Sequence, residues 1–524
     1  MFLNRTKLLE LVIVVGISIY AFYINWLSGN IGVLPIDSFG FLDTGHSILM
    51  GKLPIRDFWI FTGLLVDYME ALFLFLFGKN WNSHLIHSSS MNILGVLVLY
   101  FFLKDFNINK KFRIFYCVSF ATLCYPVSGT PFAYIHSYIF SLISLMFLIL
   151  AIKNKNKIIW LLFPLICFLS FLSMQTPSSY ILMILFIITS YYFITTKDIK
   201  NLKFLLIGCI GSIIFFFIFL NLTKTPLNNF VYQYILFPLT IGEGRLTSSE
   251  TAYISFLDQI NLKRLLGDFK FIHFLLVPLI FFTFKNYKKN STVFNLLNVT
   301  FIFSVFAFMF NQLITANQIY IFSLIPILAA LIHLNINNSK ISSKYISLIL
   351  IVVIFATIKF HQRYNIERKF HDLENIDKTN AINASEIHQN LNNLKWISND
   401  VPETEVELLK YAISVIDFDE REKILITHYQ FISTILDKNL NILNRWYLWD
   451  NNTHPTENHK YFDIYKSLVN KNIKSNNIEV VYLLGQENEI IFEKVKNYFT
   501  GLCFESKTLV DKKFSVHKIV NCKS

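Results

Sequence analysis

Through its first two thirds the chain alternates apolar blocks of about twenty residues with short polar breaks. About twenty residues is the length a helix needs to cross ~30 Å of hydrocarbon. The first block runs from Leu8 to Leu27, behind Arg5 and Lys7. Others follow at 84–103, 113–127, 134–152, 158–174, 178–195, 203–222, 269–284, 292–313, 318–335 and 345–361. The pattern predicts a polytopic α-helical membrane protein with about eleven transmembrane helices.

The breaks also orient the chain. Every second one is basic, with Lys104, Lys110 and Lys111, then Lys153, Lys155 and Lys157, then Lys197 and Lys200, then Lys285, Lys288 and Lys289, then Lys340 and Lys344. The breaks at 128–133, 175–177 and 314–317 carry no Lys or Arg. Basic loops favour the cytoplasmic side. The N-terminus is therefore expected inside, and everything after His361 outside. The long breaks at 28–83 and 223–268 fall on the outer face.

The first long break is the organising stretch. From Pro35 to Gly78 it holds Asp37, Asp43, Asp57, Asp67 and Glu70, with His46, Lys52 and Arg56 among them. It reads as a membrane-surface platform with carboxylates along the bilayer face. Phe41, Leu42, Ile48 and Leu49 recur at helical spacing, so Phe39–Met50 is expected to hold a short interfacial helix ended by Gly51 and Pro54. A second apolar stretch, 64–78, is short for a crossing and suits an interfacial or re-entrant helix. Asp67 and Glu70, three apart, share one face of it. That face reads equally as solvated surface or as function.

The second long break contains FPLTIGEGRLTSSE, read as loop because Gly242 and Gly244 permit tight turns. Its cations are Lys224, Arg245, Lys263 and Arg264. Long loops escape the charge rule; the functional reading is an anion-binding lid.

After Gln362 the chain turns polar and rich in Asn and Lys. Residues 362–400 read as a helical connector, and 401–524 as a small α/β soluble domain. There KILIT (423–427) and VVYLL (480–484) are expected strands, alternating with helices at about 403–416, 459–474 and 487–499. That order implies a partly parallel sheet.

Composition agrees. The 524 residues are 54% hydrophobic and 16% charged, against about 25% charged in soluble chains. The net charge of +12 lies mostly in short loops, where topology explains it, so it does not argue for nucleic acid. Cys117, Cys124, Cys167 and Cys209 fall inside apolar blocks and read as small packed hydrophobes. Cys503 and Cys522 lie in the polar part, where a disulfide in an oxidising compartment and two free thiols are both open. No CxxC, P-loop, GxSxG or dinucleotide fingerprint occurs. The N-terminal block has no small-residue cleavage site and reads as an uncleaved anchor.

Acids at a membrane face invite a functional hypothesis, since burying them unpaired is costly. Asp37 follows the first helix and reads either as a turn cap or as a base for a hydroxyl nucleophile. Asp57, beside Arg56, reads first as half of a structural ion pair. Arg56 itself faces either an acid or a lipid phosphate. His46, His84, His87 and His136 gather on the same side. The i, i+3 pair His84 and His87 permits metal ligation, although packing explains it better. His136 opens a span and reads as a substrate contact or as a packed histidine.

Asp37, FLDTGHSILMGKLPIRDFW and the apolar stretch ending LFG resemble the first outer loop of integral-membrane GT-C glycosyltransferases, notably the mannosyltransferase and aminoarabinose-transferase branches. The shared features are an acid after the first helix, a short helix, a Gly-x-x-Pro turn (Gly51–Pro54), Arg56-Asp57-Phe58 and an amphipathic helix. The resemblance implies a GT-C-like module over 1–361, a polyprenyl-phosphate-linked sugar donor and inverting transfer to a glycan, lipid or protein hydroxyl. By analogy Asp37 is the general base. Arg245 is the first choice to meet the leaving phosphate, with Lys263, Arg264 and His136 behind it. Many relatives carry a second acid between the third and fourth spans. Here VSGTPFAYIH has none, which leaves Asp57 as the only replacement and a divalent metal open. A transporter or lipid flippase for a cell-envelope glycan precursor is the competing reading, and a non-catalytic glycan-binding or assembly protein the third.

Overall fold

The computed structural model describes residues 5–247, 261–315, 320–339, 342, 344–485, 487–520 and 522. Each apolar block forms a helix over its described residues. Seven helices are long and apolar enough to cross a membrane: Lys7–Gly29, Trp81–Asp105, Ala133–Asn154, Gln175–Thr196, Ile199–Leu222, Thr292–Ile314 and Lys344–Ile366. The remaining blocks fold as shorter helices, Lys110–Leu123, Lys157–Ser173, Lys270–Asn286 and Leu324–Asn338. Of the eleven expected spans, seven are thus long enough by themselves, among the described residues. Their outward faces stay apolar: the Ile199–Leu222 helix exposes Leu206, Ile210, Ile213, Phe217 and others. That is the surface of a helical membrane protein.

The platform folds as expected at its two helices, Gly40–Leu49 and Leu64–Phe77. Gly63 and Gly78 bracket the second with positive φ of 74° and 94°, a region that suits glycine. A further turn of helix at Pro35–Ser38 carries Asp37.

Two segments differ from expectation. FPLTIGEGRLTSSE is not a loop over its described part: helical backbone runs from Leu227 through a π turn at Val231–Leu236 to Thr247. Phe237 is fully buried beneath this helix, with its ring 5.4 Å from Trp59 and 5.1 Å from His459. Ile241, one turn on, is buried too. Such burial outweighs the ~1 kcal/mol a helical glycine costs. Residues 248–260, including the end of that motif, lie outside the described residues, as do Lys340 and residues 316–317 of the 314–317 connection.

The 362–400 connector is not helical either. It is a chain of short turns plus a two-stranded antiparallel sheet, β1 (Ile382–Asn383) and β2 (Lys395–Trp396). Its polar side chains capture local backbone: Asp377 accepts from the Thr379 N–H at 3.0 Å and His388 from the Asn390 N–H at 3.2 Å. Competition of this kind breaks a helix into turns.

In the C-terminal part both expected strands form. Strands β3 (Lys423–Thr427) and β4 (Val480–Leu484) pair in parallel. The hairpin of β5 (Cys503–Val510) and β6 (Phe514–Val520) then adds antiparallel, in the order β3-β4-β6-β5. Helices Pro402–Phe418 and Phe462–Ser475 cover it. Cys503 and Cys522 form a disulfide.

This domain docks directly on the platform. Trp59 of the platform donates to Leu443 O of the domain at 2.8 Å, and just ahead of the platform Gly32 and Val33 donate to Lys395 O and Ile397 O of the connector at 3.0 and 2.9 Å. Phe39 inserts between Trp81, Trp396 and Phe431, at ring separations of 5.9, 5.8 and 4.8 Å.

Candidate functional site

Docking decides which platform acids remain available. The expected row of carboxylates along the bilayer face is not what forms. Asp43 is buried and accepts from Ser433 and Gln430. Burial pushes it up to about 7, and those two bonds work against the shift. Asp67 is sealed between the Thr44 hydroxyl, at 2.5 Å, and the Arg445 guanidinium. Arg445 stacks 4.3 Å over Phe41 and also donates to Thr62 O. Asp57 accepts from Leu53 N–H at 2.8 Å and from Arg56 Nε at 2.9 Å. Arg56 reaches on to Thr223 O at 3.1 Å and Gly51 O at 3.0 Å. The pair is a turn clamp. His46 lies against Asp437 of the C-terminal domain at 3.1 Å, an interface contact and not a substrate contact.

Glu70 opens a buried chain that sequence reasoning missed. Its two oxygens meet His84 Nδ1 at 2.8 Å and His87 Nδ1 at 2.7 Å. His87 Nε2 meets His136 Nε2 at 3.0 Å, and His136 Nδ1 meets Phe132 O at 2.9 Å and the Tyr125 hydroxyl at 3.1 Å. His84 Nε2 donates to Ser38 O at 3.0 Å. Burial raises the Glu70 carboxyl, but the imidazoles more than reverse it, to about 2. His136 is therefore sealed and not a substrate contact. The spacing His84, His87 was visible; Glu70, one turn of another helix away, supplied the partner. Among the described residues no group of three or more His, Cys, Asp or Glu is arranged to hold a metal.

Asp37 is the exception on the platform. It stays partly exposed, and its carboxylate makes no hydrogen bond or ion pair among the described residues. Protein nonetheless surrounds it: burial, then the charge of Asp372, pushes it up to about 6. His84 holds the neighbouring Ser38 carbonyl, and the Ser38 hydroxyl accepts from the Leu34 N–H at 3.0 Å, so the turn carrying Asp37 is fixed from both sides.

Tyr320 lies within electrostatic reach of Asp37 and packs on Tyr134 at 5.2 Å. Tyr134 faces Asn311 and Gln312 at the platform end of the Thr292–Ile314 helix. Arg264 donates to Gln312 O at 3.3 Å and lies 3.7 Å from Asp268. Arg245 is on the neighbouring helix, in reach of Tyr180, whose ring is 5.6 Å from Phe310. Burial lowers the Arg245 pKa, with Asp450 and Tyr180 acting in the opposite sense. Arg245 forms no ion pair among the described residues. The segment Phe310–Gln312 thus links the surroundings of Asp37, Arg264 and Arg245. Lys263 is exposed.

Arg368 was also missed. Fully buried, it donates to Ile31 O, Pro126 O and Ser128 O, each at 3.0 Å, and so ties the end of the first helix to the 126–128 turn. Burial brings it down to about 9. It is one of two arginines, with Arg363, just after the last apolar block, and nothing in its spacing distinguished it.

No protein-family model matches the chain, and no curated protein matches it.

Proposed function

We propose that the protein is a membrane glycosyltransferase of the GT-C kind. It moves a sugar from a polyprenyl-phosphate donor to a hydroxyl acceptor at the outer face of the cytoplasmic membrane, with inversion. The observation that carries this reading is Asp37, the platform acid left accessible and unpaired while its pKa is held near 6. A general base works best with a pKa near the working pH. In the proposed step Asp37 takes the proton of the acceptor hydroxyl, whose oxygen attacks the anomeric carbon. The bond from that carbon to the phosphate oxygen breaks, and the lipid phosphate leaves with the electron pair. Arg245 and Arg264 are the fixed cations available to meet that charge.

The basic loops support an inside N-terminus, and the Cys503–Cys522 disulfide suits an oxidising compartment for the C-terminal domain. The test is Asp37→Asn with a lipid-linked sugar donor in reconstituted membranes. Transfer should fall by about 10²–10⁴-fold, the usual contribution of a general base. Wild-type turnover in the variant would end the assignment.

One observation favours the competing transporter reading. Buried ionisable chains such as Glu70–His87–His136 mark ion pathways in pumps. This chain, however, ends on the Ser38 and Phe132 carbonyls and on the Tyr125 hydroxyl, which itself accepts from the Phe132 N–H at 3.1 Å, an arrangement that suits a bracing role.

A further inference from the structure

A cleft lies where three parts of the molecule meet. Its volume is about 490 Å³, within the range of ligand pockets. Trp59 comes from the platform, Asn229 and Gln233 from the 227–236 helical turns, and Asp463, Ser467 and Lys471 from the helix Phe462–Ser475. Gln233 and Arg245 are separated by twelve residues of helical backbone, ~18 Å along the axis.

The wall contributed by Phe462–Ser475 is a stripe. Asp463, Ser467 and Lys471 recur every fourth residue and so share one helix face. All three are exposed, and none makes a side-chain hydrogen bond or ion pair among the described residues. On the opposite wall Gln233 is committed: it donates to Ile55 O at 2.9 Å and accepts from Ile60 N–H at 3.2 Å. Asn229 donates to Ile55 O at 3.4 Å, which leaves its carbonyl oxygen. Trp59 is 1% exposed, and its indole N–H has no hydrogen-bond partner. A buried donor left this way is costly, so it marks a place for an acceptor.

We infer that this cleft binds a neutral oligosaccharide. The open groups are an ammonium, a hydroxyl, an amide oxygen and a carboxylate, mixing donors with acceptors at no net charge. An anionic ligand meets Asp463, and a cationic one meets Lys471. Sugar hydroxyls each give and accept a hydrogen bond, so a neutral polyol satisfies both kinds of group. Pro226, at the rim, follows the Ile199–Leu222 helix by a few residues. The cleft therefore opens at the membrane surface, where a free glycan and a lipid-borne one both have access. The inference does not depend on the transfer chemistry at Asp37.

The test uses the full chain in nanodiscs and a panel of neutral hexose oligosaccharides, free in solution or displayed as glycolipid headgroups, with uronic-acid and aminosugar oligomers alongside. Saturable binding is followed by saturation-transfer NMR. Neutral members should bind, and Ser467→Trp, which fills the cleft from an exposed position, should weaken them at least about tenfold. Asp463→Asn with Lys471→Gln should weaken them in the same direction, and Asp37→Asn should leave binding intact. Preference for the glycolipid over the free glycan identifies a lipid-borne ligand; equal binding identifies the glycan alone. Three results would overturn the inference: no saturable neutral binding up to about 10 mM, affinity unchanged by Ser467→Trp, or preference for the charged oligomers.

Discussion

Asp37 and Asp67 lie in the same loop, and both are surrounded by protein. Burial pushes each up to about 6. Their surroundings otherwise differ completely. Asp67 is sealed, with Thr44 on one oxygen and Arg445 on the other. Asp37 is partly exposed and has no such partner among the described residues. A shifted pKa alone does not mark a functional acid, because interface acids are shifted too. Free coordination at the carboxylate separates the two. Asp67 holds the C-terminal domain to the platform, and Asp37 is left for something else to bind.

The largest effect should come from breaking the sealed pair. Arg445→Ala leaves Asp67 buried without its cation, which typically costs about 3–5 kcal/mol. Thermal unfolding of the purified protein should show that loss. Replacing both members by apolar residues, Asp67→Leu with Arg445→Met, should recover most of it, because a buried pair contributes little beyond a well-packed apolar contact. If Arg445→Ala unfolds like the wild type, the contrast between the two acids collapses.

The platform helices were legible because their signals are local. Apolar spacing fixed Gly40–Leu49, and an apolar run too short for a crossing marked Leu64–Phe77. Strands β3 and β4 and their parallel pairing followed from short apolar runs set between helical segments. What sequence could not supply was partnership across distance. Asp67 meets Arg445 from 378 positions away, and Asp43 meets Ser433 from 390. The platform read as a row of solvated carboxylates because the domain that covers it is encoded at the other end of the chain. His136 was open between a substrate contact and a packed histidine for the same reason, since Glu70 and His87 bury it through contacts that no spacing rule encodes. Asp37 was legible from its position after the first helix, but its lack of a partner became visible only once every neighbour was placed.

A smaller effect is expected at Arg245. It is the cation near the proposed site with no ion pair among the described residues. If it meets the donor phosphate, Arg245→Ala should lower kcat/KM for the donor by about 10–100-fold, at the low end for a lost charged contact. Thermal stability should hardly move, the opposite of Arg445→Ala. Arg245→Lys should recover part of the loss, since lysine keeps the charge but not the planar fork. An unchanged rate at limiting donor would remove Arg245 from the site.

The smallest effect is on stability, and it tests Asp37 without any activity assay. An unfolded aspartate titrates near the ordinary value of 3.8, while in the fold Asp37 is raised to about 6. Between those values the folded chain keeps a proton that the unfolded chain has lost, so this group's contribution falls as pH rises through the window. Below it both states are protonated and the contribution vanishes. Above it the buried charge costs stability, about 1 kcal/mol after allowance for its partial exposure. Asp37→Asn should therefore unfold at a slightly higher temperature than the wild type at pH 7.5, and the two should converge toward pH 4. The same titration should appear in transfer, which needs the ionised form and should fall as pH drops below about 6. A residue that gains stability when neutralised and loses activity at the same time is held for function. If Asp37→Asn is instead destabilised at pH 7.5, Asp37 has a structural partner, and the contrast with Asp67 disappears.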